Sequence, residues 1–335
     1  MKWEQLTADA LDAGFPRWAP FGPPVALSGG NLNYVWRVQS VRGPVIAKRS
    51  PPFAAAVPSL ALSPRRLLLE ARALRAFEKP PLLGITEGAV RPPRLLGFCR
   101  KAWLLLEEDA GPGPDLSQSL GDPATFRRLG AFIAGLHRES FGSAALRHRF
   151  ANLDVQRTRL ASQYAQVGAF AERAGAQDAA AIDARALALG QRWLEPGRCL
   201  VMGDLWPASV LPRQGGLRLI DWEFATFGSP AQDVGHLVAH LLLLGFATGT
   251  QRAAADATDA FLAHYRVGLR EQFHEVWDEE VHRDAGLHIG CELLARASGP
   301  FRATVTLEPD ALGALTKVAL AALRGVPPSA LAPLE

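Results

Sequence analysis

Apolar and polar positions change their spacing along the chain, and this change predicts which parts are sheet and which are helix. Residues 25–49 contain short apolar runs broken by Gly-rich or Arg-Gly turns, a pattern typical of three successive strands. Residues 90–107 return to extended character. Between them, apolar residues recur four, seven and ten positions after Leu67, behind a Ser63-Pro64 pair typical of a first helical turn. We therefore predict a small sheet interrupted by one helix over residues 64–78.

The pattern becomes mostly helical further along the chain. Asp122 and Pro123 open an amphipathic segment, and Ala- and Leu-rich patterns with helical spacing follow at 178–195 and 252–270. Residues 199–224 differ, because short apolar runs alternate there with Gly, Pro and polar residues. We interpret that region as brief strands that hold loops in place. The whole pattern predicts an α+β fold with a β-rich first part and a mainly helical second part.

A break rich in Gly and Pro separates the two parts. Residues 110–116 read Ala-Gly-Pro-Gly-Pro-Asp-Leu, which interrupts regular structure. We predict an N-terminal unit over 1–108, a connection over 109–122 and a C-terminal unit over 123–335. At roughly 100–200 residues per domain, a length of 335 residues agrees with two units and a substrate cleft between them.

Composition narrows the class of protein and of partner. The chain is 48% hydrophobic and 21% charged, as in folded globular proteins. With 36 Lys and Arg against 33 Asp and Glu, the net charge of +3 argues against nucleic acid or an anionic membrane as a partner. Cys99, Cys199 and Cys291 are widely spaced and form no CxxC motif, which argues against a disulfide framework or a zinc site.

Neither targeting nor membrane insertion is indicated by the sequence. The first residues mix charged and apolar side chains and lack the apolar core of a secretory signal. The most apolar stretch, 237–246, contains His240 and is half as long as the roughly 20 residues that span a bilayer. We predict a cytoplasmic protein and interpret this stretch as a buried helix. The sequence leaves open whether the protein is a monomer or a homodimer.

The densest polar cluster lies in an apolar neighbourhood between residues 201 and 228. Asp204, Asp221 and Glu223 follow short predicted strands. Buried carboxylates are costly unless they meet a cation or a hydrogen-bond donor. Mg²⁺ prefers such hard oxygen ligands and usually takes one or two carboxylates together with substrate phosphates. The cluster therefore predicts a magnesium site whose coordination is completed by a triphosphate.

Phosphoryl transfer needs further groups, and the chain offers them in order. They are a Gly-containing turn over the phosphates, a lysine on a nearby strand, a glutamate on the next helix, and an aspartate beside the acceptor hydroxyl. The corresponding residues are Gly29, Gly30 and Asn31 in the first turn, Lys48 on the third strand, Glu70 in the helix, Asp204 in a loop and Asp221 after it. This order favours a kinase over two structural alternatives. In these, Asp204 and Asp221 only cap turns at strand ends, and Glu70 only forms a surface ion pair.

These motifs resemble those of the aminoglycoside phosphotransferase and choline kinase superfamily. Within it, the sequence is most similar to the methylthioribose kinase-like branch. The similarity is carried by segments 30–38, 221–235 and 292–299, and it extends over roughly residues 25–325. It implies a two-lobed protein-kinase-like fold and an ATP- and Mg²⁺-dependent kinase that transfers the γ-phosphoryl group to a hydroxyl of a small molecule.

The resemblance also implies a role for individual residues. Asp204 orients or deprotonates the acceptor hydroxyl, and Asp221 binds Mg²⁺ with Glu223 as a second acidic ligand. Asp233 braces the catalytic loop from the first turn of a helix. The implied nucleotide contacts come from the Gly-rich turn, from Lys48 paired with Glu70, and from backbone groups of the interlobe segment: Gly29, Gly30, Asn31, Asn33, Lys48, Glu70, Leu106, Glu107 and Glu108.

Two departures from the superfamily pattern open an alternative. Met202 stands in place of a histidine that mainly braces the loop, and Ser209 in place of an asparagine that binds a second Mg²⁺. A serine hydroxyl is a poorer ligand than a carboxamide, and a loop serine often bonds its local backbone instead. The sequence thus leaves open an active kinase, with Ser209 and Glu223 as ligands, or a pseudokinase-like module that binds nucleotide or metabolite without turnover.

The acceptor is the least readable part. Arg296 and Trp222 are candidate substrate contacts, although a structural arginine and a core tryptophan explain the same residues. His236 and His240 lie on an apolar stretch and are interpreted as core histidines. The acceptor is a thio-sugar, an amino alcohol, an aromatic amine alcohol or an antibiotic of the aminoglycoside type. The choice between ATP and GTP also stays open.

Overall fold

The computed structural model describes residues 15–18, 24–27, 32–118, 120, 122–299, 307–326 and 328–334. Three residues predicted to contact nucleotide, Gly29, Gly30 and Asn31, lie outside the described residues.

The first part of the chain is built on a five-stranded antiparallel sheet with the order β1-β2-β3-β8-β7. β3 lies at its centre, so that Lys48 pairs with Val35 of β2 on one side and Leu105 of β8 on the other. The strands are β1 (Val25–Ala26), β2 (Tyr34–Ser40), β3 (Gly43–Arg49), β7 (Leu95–Cys99) and β8 (Leu104–Glu108).

Smaller strand pairs flank this sheet and the region predicted to hold brief strands. β4 and β5 form a hairpin that follows β3 along the chain and that the sequence pattern did not predict. A parallel pairing of β6 with β11 joins the two parts of the chain. The strands are β4 (Phe53–Ala54), β5 (Val57–Ala61), β6 (Val90–Arg91), β9 (Cys199–Val201), β10 (Val210–Arg213), β11 (Gly216–Leu219) and β12 (Thr226–Gly228).

The helix between the strands, α1 (Arg66–Ala76), begins later than the Ser63-Pro64 pair predicted. Ser63 Oγ accepts a hydrogen bond from the Arg65 backbone nitrogen at 3.4 Å, one turn before the helix, and Arg65 holds the capping position without a side-chain bond. The Ser63 hydroxyl is therefore used in the turn that leads into the helix. Leu67 and Glu70 are both buried on the face of α1 that packs inward.

Helices make up most of the rest of the chain. Asp122 caps one of them as predicted, with its side chain accepting from the Ala124 backbone nitrogen at 2.7 Å. The helices are α2 (Pro123–Ser140), α3 (Ala144–Arg149), α4 (Leu153–Ser162), α5 (Val167–Arg173), α6 (Ala179–Arg192), α7 (Ala231–Thr248), α8 (Gln251–Leu269), α9 (Phe273–Val276), α10 (Glu279–Ser298) and α11 (Pro309–Leu323).

Two packing features position the helical part. α2 lies closely against α8, because Gly130 has no side chain and a Cβ there would collide with the Phe261 carbonyl. The apolar stretch 237–246 falls inside α7, which is buried along most of its length, as predicted. Within the described ranges, no helix is long and apolar enough to cross a bilayer. The predicted α+β class is confirmed.

Candidate active site

Lys48 lies at the centre of a cluster of three carboxylates contributed by different elements. Its Nζ is 2.7 Å from Glu70 Oε1 on α1, 2.7 Å from Asp221 Oδ1 after β11, and 3.1 Å from Glu107 Oε1 on β8. The lysine and both glutamates are buried, whereas the Asp221 side chain is 40% exposed. The predicted pair of Lys48 and Glu70 is thus part of a larger group.

Burial and charge oppose each other in this cluster. Burial alone would lower the pKa of Lys48, but Asp221, Glu107 and Glu70 outweigh it and raise the pKa well above its usual value. Burial raises the pKa of Glu70, and it raises the pKa of Glu107 to about 8, in both cases against the effect of Lys48. Burial and repulsion from the neighbouring carboxylates therefore favour the protonated form of the two glutamates, while Lys48 keeps its charge.

This donor set fits a divalent cation of the Mg²⁺ type. Among the described residues, Glu70 Oε2 and Glu107 Oε2 are buried without a hydrogen-bond donor, and the cluster offers only oxygen ligands. Hard carboxylate oxygens are the ligands that Mg²⁺ prefers. Of the three carboxylates, Asp221 is the one whose side chain is open to the cleft.

The backbone at Asp221 aims its side chain into the cleft. Asp221 adopts the left-handed conformation with φ 66° and ψ 59°, immediately before a 3₁₀ turn over Trp222–Phe224. Few residues other than Gly take this conformation, and Asp and Asn are the usual exceptions. The side chain of Asp221 therefore points in a different direction from the side chains of the residues that follow it.

Glu223 lies on the other side of this turn, paired with a cation from α1. Its Oε2 is 2.9 Å from Arg66 Nε, and burial raises the pKa of Glu223 to about 8 despite the nearby guanidinium. Arg66 also donates to the Leu32 carbonyl at 2.8 Å. The structure therefore brings Glu223 to an ion pair with Arg66, whereas the resemblance implied a place beside Asp221 on the metal.

Two predicted site residues, Ser209 and Trp222, are held away from the cleft, whereas Glu223 lines it. Ser209 is fully buried, and its Oγ donates to the Trp206 carbonyl at 2.8 Å and accepts from the Trp206 backbone nitrogen at 3.3 Å. Trp222 is also fully buried; its indole donates to the Leu219 carbonyl at 2.8 Å and its ring packs edge-on against Phe77. For both residues the structure shows the local, structural alternative.

The loop that carries Asp204 is braced by a buried carboxylate at the start of α7. Asp233 accepts hydrogen bonds from the backbone nitrogens of Met202 at 2.9 Å and Gly203 at 2.7 Å. The same side chain lies 3.1 Å from His137 Nε2, so a histidine from α2 supports the brace although Met202 occupies the usual histidine position. Gly203 has φ +78°, a conformation that a side chain would strain.

Asp204 faces Arg159, which the sequence did not single out, and His236, which the sequence pattern favoured as a core histidine. Arg159 Nη2 on α4 is 3.1 Å from Asp204 Oδ1, and His236 Nε2 on α7 is 3.3 Å from the same oxygen. Burial alone would raise the pKa of Asp204, but His236, Arg159 and Arg296 together lower it. The carboxylate is therefore ionised at neutral pH.

Two cavities adjoin at this point. One, of about 190 Å³, is lined by Asp204, Arg159, His236 and Arg296. The other, of about 610 Å³, is lined by Lys48, Glu107 and the segment that follows β8. Val35, Trp206 and Asp221 line both cavities.

The interlobe segment places two glutamates differently. Glu107 and Glu108 both line the larger cavity, but Glu108 forms a two-pronged ion pair with Arg91, with both oxygens at 2.7 Å. Its backbone nitrogen donates to the Arg94 carbonyl at 2.9 Å. Leu106 is buried and paired with neighbouring strands on both sides. The residues that follow, 109–113, also line this cavity.

Deep in the smaller cavity, Glu292 on α10 collects several donors. Its Oε1 is 2.7 Å from Arg296 Nε and 3.1 Å from His240 Nε2, and its Oε2 accepts from Gln163 at 2.5 Å. His236, His240 and Glu292 have ligand atoms within 4.8 Å of one another, a spacing that suits a metal ion. The Arg296 guanidinium on the oxygen that His240 reaches opposes a dication there, so we interpret the group as a hydrogen-bonded network.

His236, Arg159 and Glu292 are site residues that sequence reasoning missed. One signal for His236 was available, because it follows Asp233 by three positions on a helix and so shares its face. A helix that aims Asp233 at the catalytic loop aims His236 at it as well. Arg159 comes from a distant segment that no local pattern marks, and Glu292 opens the segment 292–299 that carries part of the family similarity but was not assigned a role.

Comparison with known proteins points in one direction. A family model described as "Phosphotransferase enzyme family" matches residues 25–278. The 4-hydroxytryptamine kinase of Psilocybe cyanescens is 24% identical over 272 residues, which are 73% of this chain and 74% of that protein. The methylthioribose kinase of Bacillus cereus strain AH187 is 25% identical over 248 residues, 65% of this chain and 59% of that protein.

Other methylthioribose kinases match over shorter segments. That of Cronobacter sakazakii is 33% identical over 90 residues, 27% of this chain and 23% of that protein, and that of Bacillus pumilus is 25% identical over 136 residues, 34% of that protein. The chain thus spans less than two thirds of the length of these relatives.

Solved structures show the likeness of the fold. An amicoumacin kinase, hAmiN, in complex with AMP-PNP, Ca²⁺ and Ami, has a TM-score of 0.56 at 16% identity, and the match covers 92% of this chain and 91% of that one. The ADP-bound aminoglycoside phosphotransferase APH(2'')-Ib has a TM-score of 0.51 at 13% identity, over 90% and 94% of the two chains. The two-lobed kinase-like fold implied by the motifs is confirmed.

Proposed function

Because the chain belongs to the phosphotransferase enzyme family, we propose that it is an ATP-dependent kinase that phosphorylates a hydroxyl of a small metabolite. The observation that carries the proposal is the pair of adjoining cavities. Lys48 lies in one and Asp204 in the other, and Asp221 lines both. A phosphoryl group at the junction would lie between a nucleotide and an acceptor.

On the nucleotide side, the residues neutralise and orient phosphate. The Lys48 ammonium contacts the phosphates and is held in place by Glu70 on α1. Asp221, with its exposed carboxylate, would hold Mg²⁺. The bound ion supplies charge neutralisation of the phosphates. Positioning and electrostatics are the main sources of rate in this chemistry.

On the acceptor side, Asp204 is the catalytic base. Its oxygen accepts the proton of the acceptor hydroxyl as that O–H bond breaks and the acceptor oxygen bonds to the γ-phosphorus, while ADP leaves with the electrons of the broken P–O bond. Arg159 and His236 contact one oxygen of the carboxylate, Oδ1. The other oxygen is then the one available to the acceptor.

Charge pairing in the smaller cavity favours an acceptor without a large net charge. Asp204 is paired with Arg159, Glu292 with Arg296, and Glu223 with Arg66. A polycationic aminoglycoside would need carboxylates that are not already neutralised. We therefore propose a neutral, hydroxyl-rich acceptor of the thio-sugar or sugar class, which the methylthioribose kinase matches also favour.

A screen for ATP-dependent phosphorylation tests this proposal. The purified protein is incubated with Mg-ATP and three acceptor sets, namely neutral sugars and thio-sugars, amino alcohols, and aminoglycosides. We expect product only in the first set, with Asp204→Asn as the inactive control. Phosphorylation of aminoglycosides alone would contradict the neutral acceptor, and turnover of none of the sets would contradict the kinase.

One observation favours a second candidate, a pseudokinase-like binding module. The Ser209 hydroxyl is used by the Trp206 backbone, so this position offers no ready ligand for a second ion. Calorimetry with Mg-ATP separates the two candidates when combined with an assay of slow background ATP hydrolysis. Binding without hydrolysis or transfer would favour the module.

A further inference from the structure

The imidazole of His236 lies directly behind the proposed base. It is 1% exposed and lines the smaller cavity, called the acceptor cavity from here on. Its Nε2 is 3.3 Å from Asp204 Oδ1. Its other nitrogen, Nδ1, is 3.8 Å from Glu292 Oε2. Among the described residues, neither ring nitrogen has a partner with full hydrogen-bond geometry. A buried polar ring in such contact with a carboxylate calls for a role, because unpaired buried polar groups are costly.

We propose that His236 is a positioning residue for Asp204 and that its protonation state sets the basicity of that carboxylate. This inference rests on the proposed kinase function. In the neutral ring, Nε2–H donates to Oδ1 and directs the other oxygen of Asp204 toward the acceptor. In the protonated ring, a full positive charge next to Asp204 makes it a weaker base. Catalytic hydrogen bonds that are loose in the free enzyme tighten in the substrate complex.

In the part of the chain that the structure describes, the charged and titratable groups around the ring and its two carboxylate neighbours come from four elements. They are Asp204 of the catalytic loop, Arg159 of α4, His240 of α7 itself, and three residues of α10: His288, Glu292 and Arg296. Burial lowers the pKa of His240 to about 4 and lowers that of His288, so both are neutral neighbours at physiological pH.

A direct test does not depend on knowing the acceptor. Histidine side chains of the full-length protein are labelled with ¹³C and titrated by NMR, and His236→Gln identifies the His236 signal. Asp204→Asn should change the titration of the His236 signal, because it removes the charge that lies 3.3 Å from Nε2. An unchanged titration of His236 would overturn the contact on which the inference rests.

The kinetic test separates positioning from a structural role. Gln places an N–H near the position of Nε2 but does not titrate, so His236→Gln should keep kcat within about threefold of wild type at alkaline pH. It should also lose the fall in kcat that wild type shows as the ring is protonated. His236→Ala should lower kcat about 10- to 100-fold with the KM for ATP unchanged, as expected for loss of a bond to a charged group.

Two results would overturn the inference at this stage. They are a His236→Gln profile identical to that of wild type, and a His236→Ala variant with wild-type kcat. His288→Asn is the matched control, because it removes a second buried imidazole from the same stack without touching Asp204, and it should keep the wild-type pH profile. If no acceptor is phosphorylated, the proposed function fails, while the NMR titration still decides the contact.

Discussion

At the scale of single residues, two adjacent glutamates of β8, Glu107 and Glu108, have pKa values that are shifted in opposite directions. Glu107 points into the Lys48 cluster, where burial raises its pKa to about 8. Glu108 points the other way, and the hydrogen bonds from Arg91 lower its pKa to about 2 although burial opposes this. The alternation of side chains along a strand thus places one acid where it resists ionisation and the next where it favours it.

This difference predicts opposite pH effects on stability. The folded-state pKa of Glu107 lies above the 4.5 of an ordinary glutamate, so its folded form binds protons and stability falls as pH rises from about 4.5 to about 8. Glu107→Gln should remove that fall. Its thermal midpoint, measured from pH 5 to pH 8.5, should gain on wild type as pH rises.

Glu108→Gln is the matched control for that experiment. Glu108 contributes stability that is present above pH 4.5 and lost as pH falls toward 2, so its removal should lower the midpoint throughout the neutral range. If both variants shift the midpoint in the same direction at pH 8, the account of the Lys48 cluster is wrong.

A second prediction at this scale concerns the base. Asp204→Asn should lower kcat by about 10²- to 10⁴-fold, the usual worth of a positioned proton acceptor. Affinity for Mg-ATP should stay near wild type, because Asp204 lines the acceptor cavity and not the larger one. Steady-state kinetics and calorimetry measure the two effects, and near-normal turnover would remove Asp204 from the mechanism.

At the scale of elements, the turn after Asp221 is held against α1 rather than left free. Trp222 packs on Phe77, which caps the end of α1, and Glu223 pairs with Arg66 at its start, so both residues that follow Asp221 contact this helix or its cap. The same helix carries Glu70, which contacts Lys48. α1 therefore positions the lysine and the carboxylate of the nucleotide side together.

Substitutions at Trp222 test this packing. Trp222→Ala should lower the free energy of unfolding by about 3–5 kcal/mol, as for other large aromatic side chains removed from a core, and urea unfolding measures it. Trp222→Phe should cost less and leave the KM for the acceptor unchanged. A selective rise in that KM would instead restore Trp222 as a substrate contact.

The elements that sequence reasoning predicted are those with a local signal. Alternation and helical spacing predicted the sheet and the helices α1, α2, α6, α7 and α8. Motif order singled out Lys48, Glu70, Asp204 and Asp221, which line or adjoin the two cavities. Local patterns failed where partners come from distant segments. Arg66 and Glu223 lie far apart in the sequence. No local pattern could therefore show that Glu223, which was expected at the metal, forms an ion pair with Arg66.

At the scale of the whole molecule, binding of nucleotide should appear as stability. A ligand that binds only the folded chain adds about 2.7 kcal/mol at 100 times its dissociation constant. We expect Mg²⁺ with AMP-PNP to raise the thermal midpoint of wild type and of Asp204→Asn equally. Asp221→Asn should lose most of the rise while keeping its fold, because Asn tolerates the left-handed backbone at that position. An equal rise in Asp221→Asn would place the metal elsewhere.

The hairpin formed by β4 and β5 has a consequence for the order of events. Leu60 of β5 and the adjoining Leu62 line the acceptor cavity opposite Arg159 and Arg296, so a molecule in that cavity touches both lobes. Any change in the angle between the lobes reshapes both cavities at once. A nucleotide that favours one angle therefore alters the affinity for the acceptor, and the acceptor must alter the affinity for the nucleotide by the same factor.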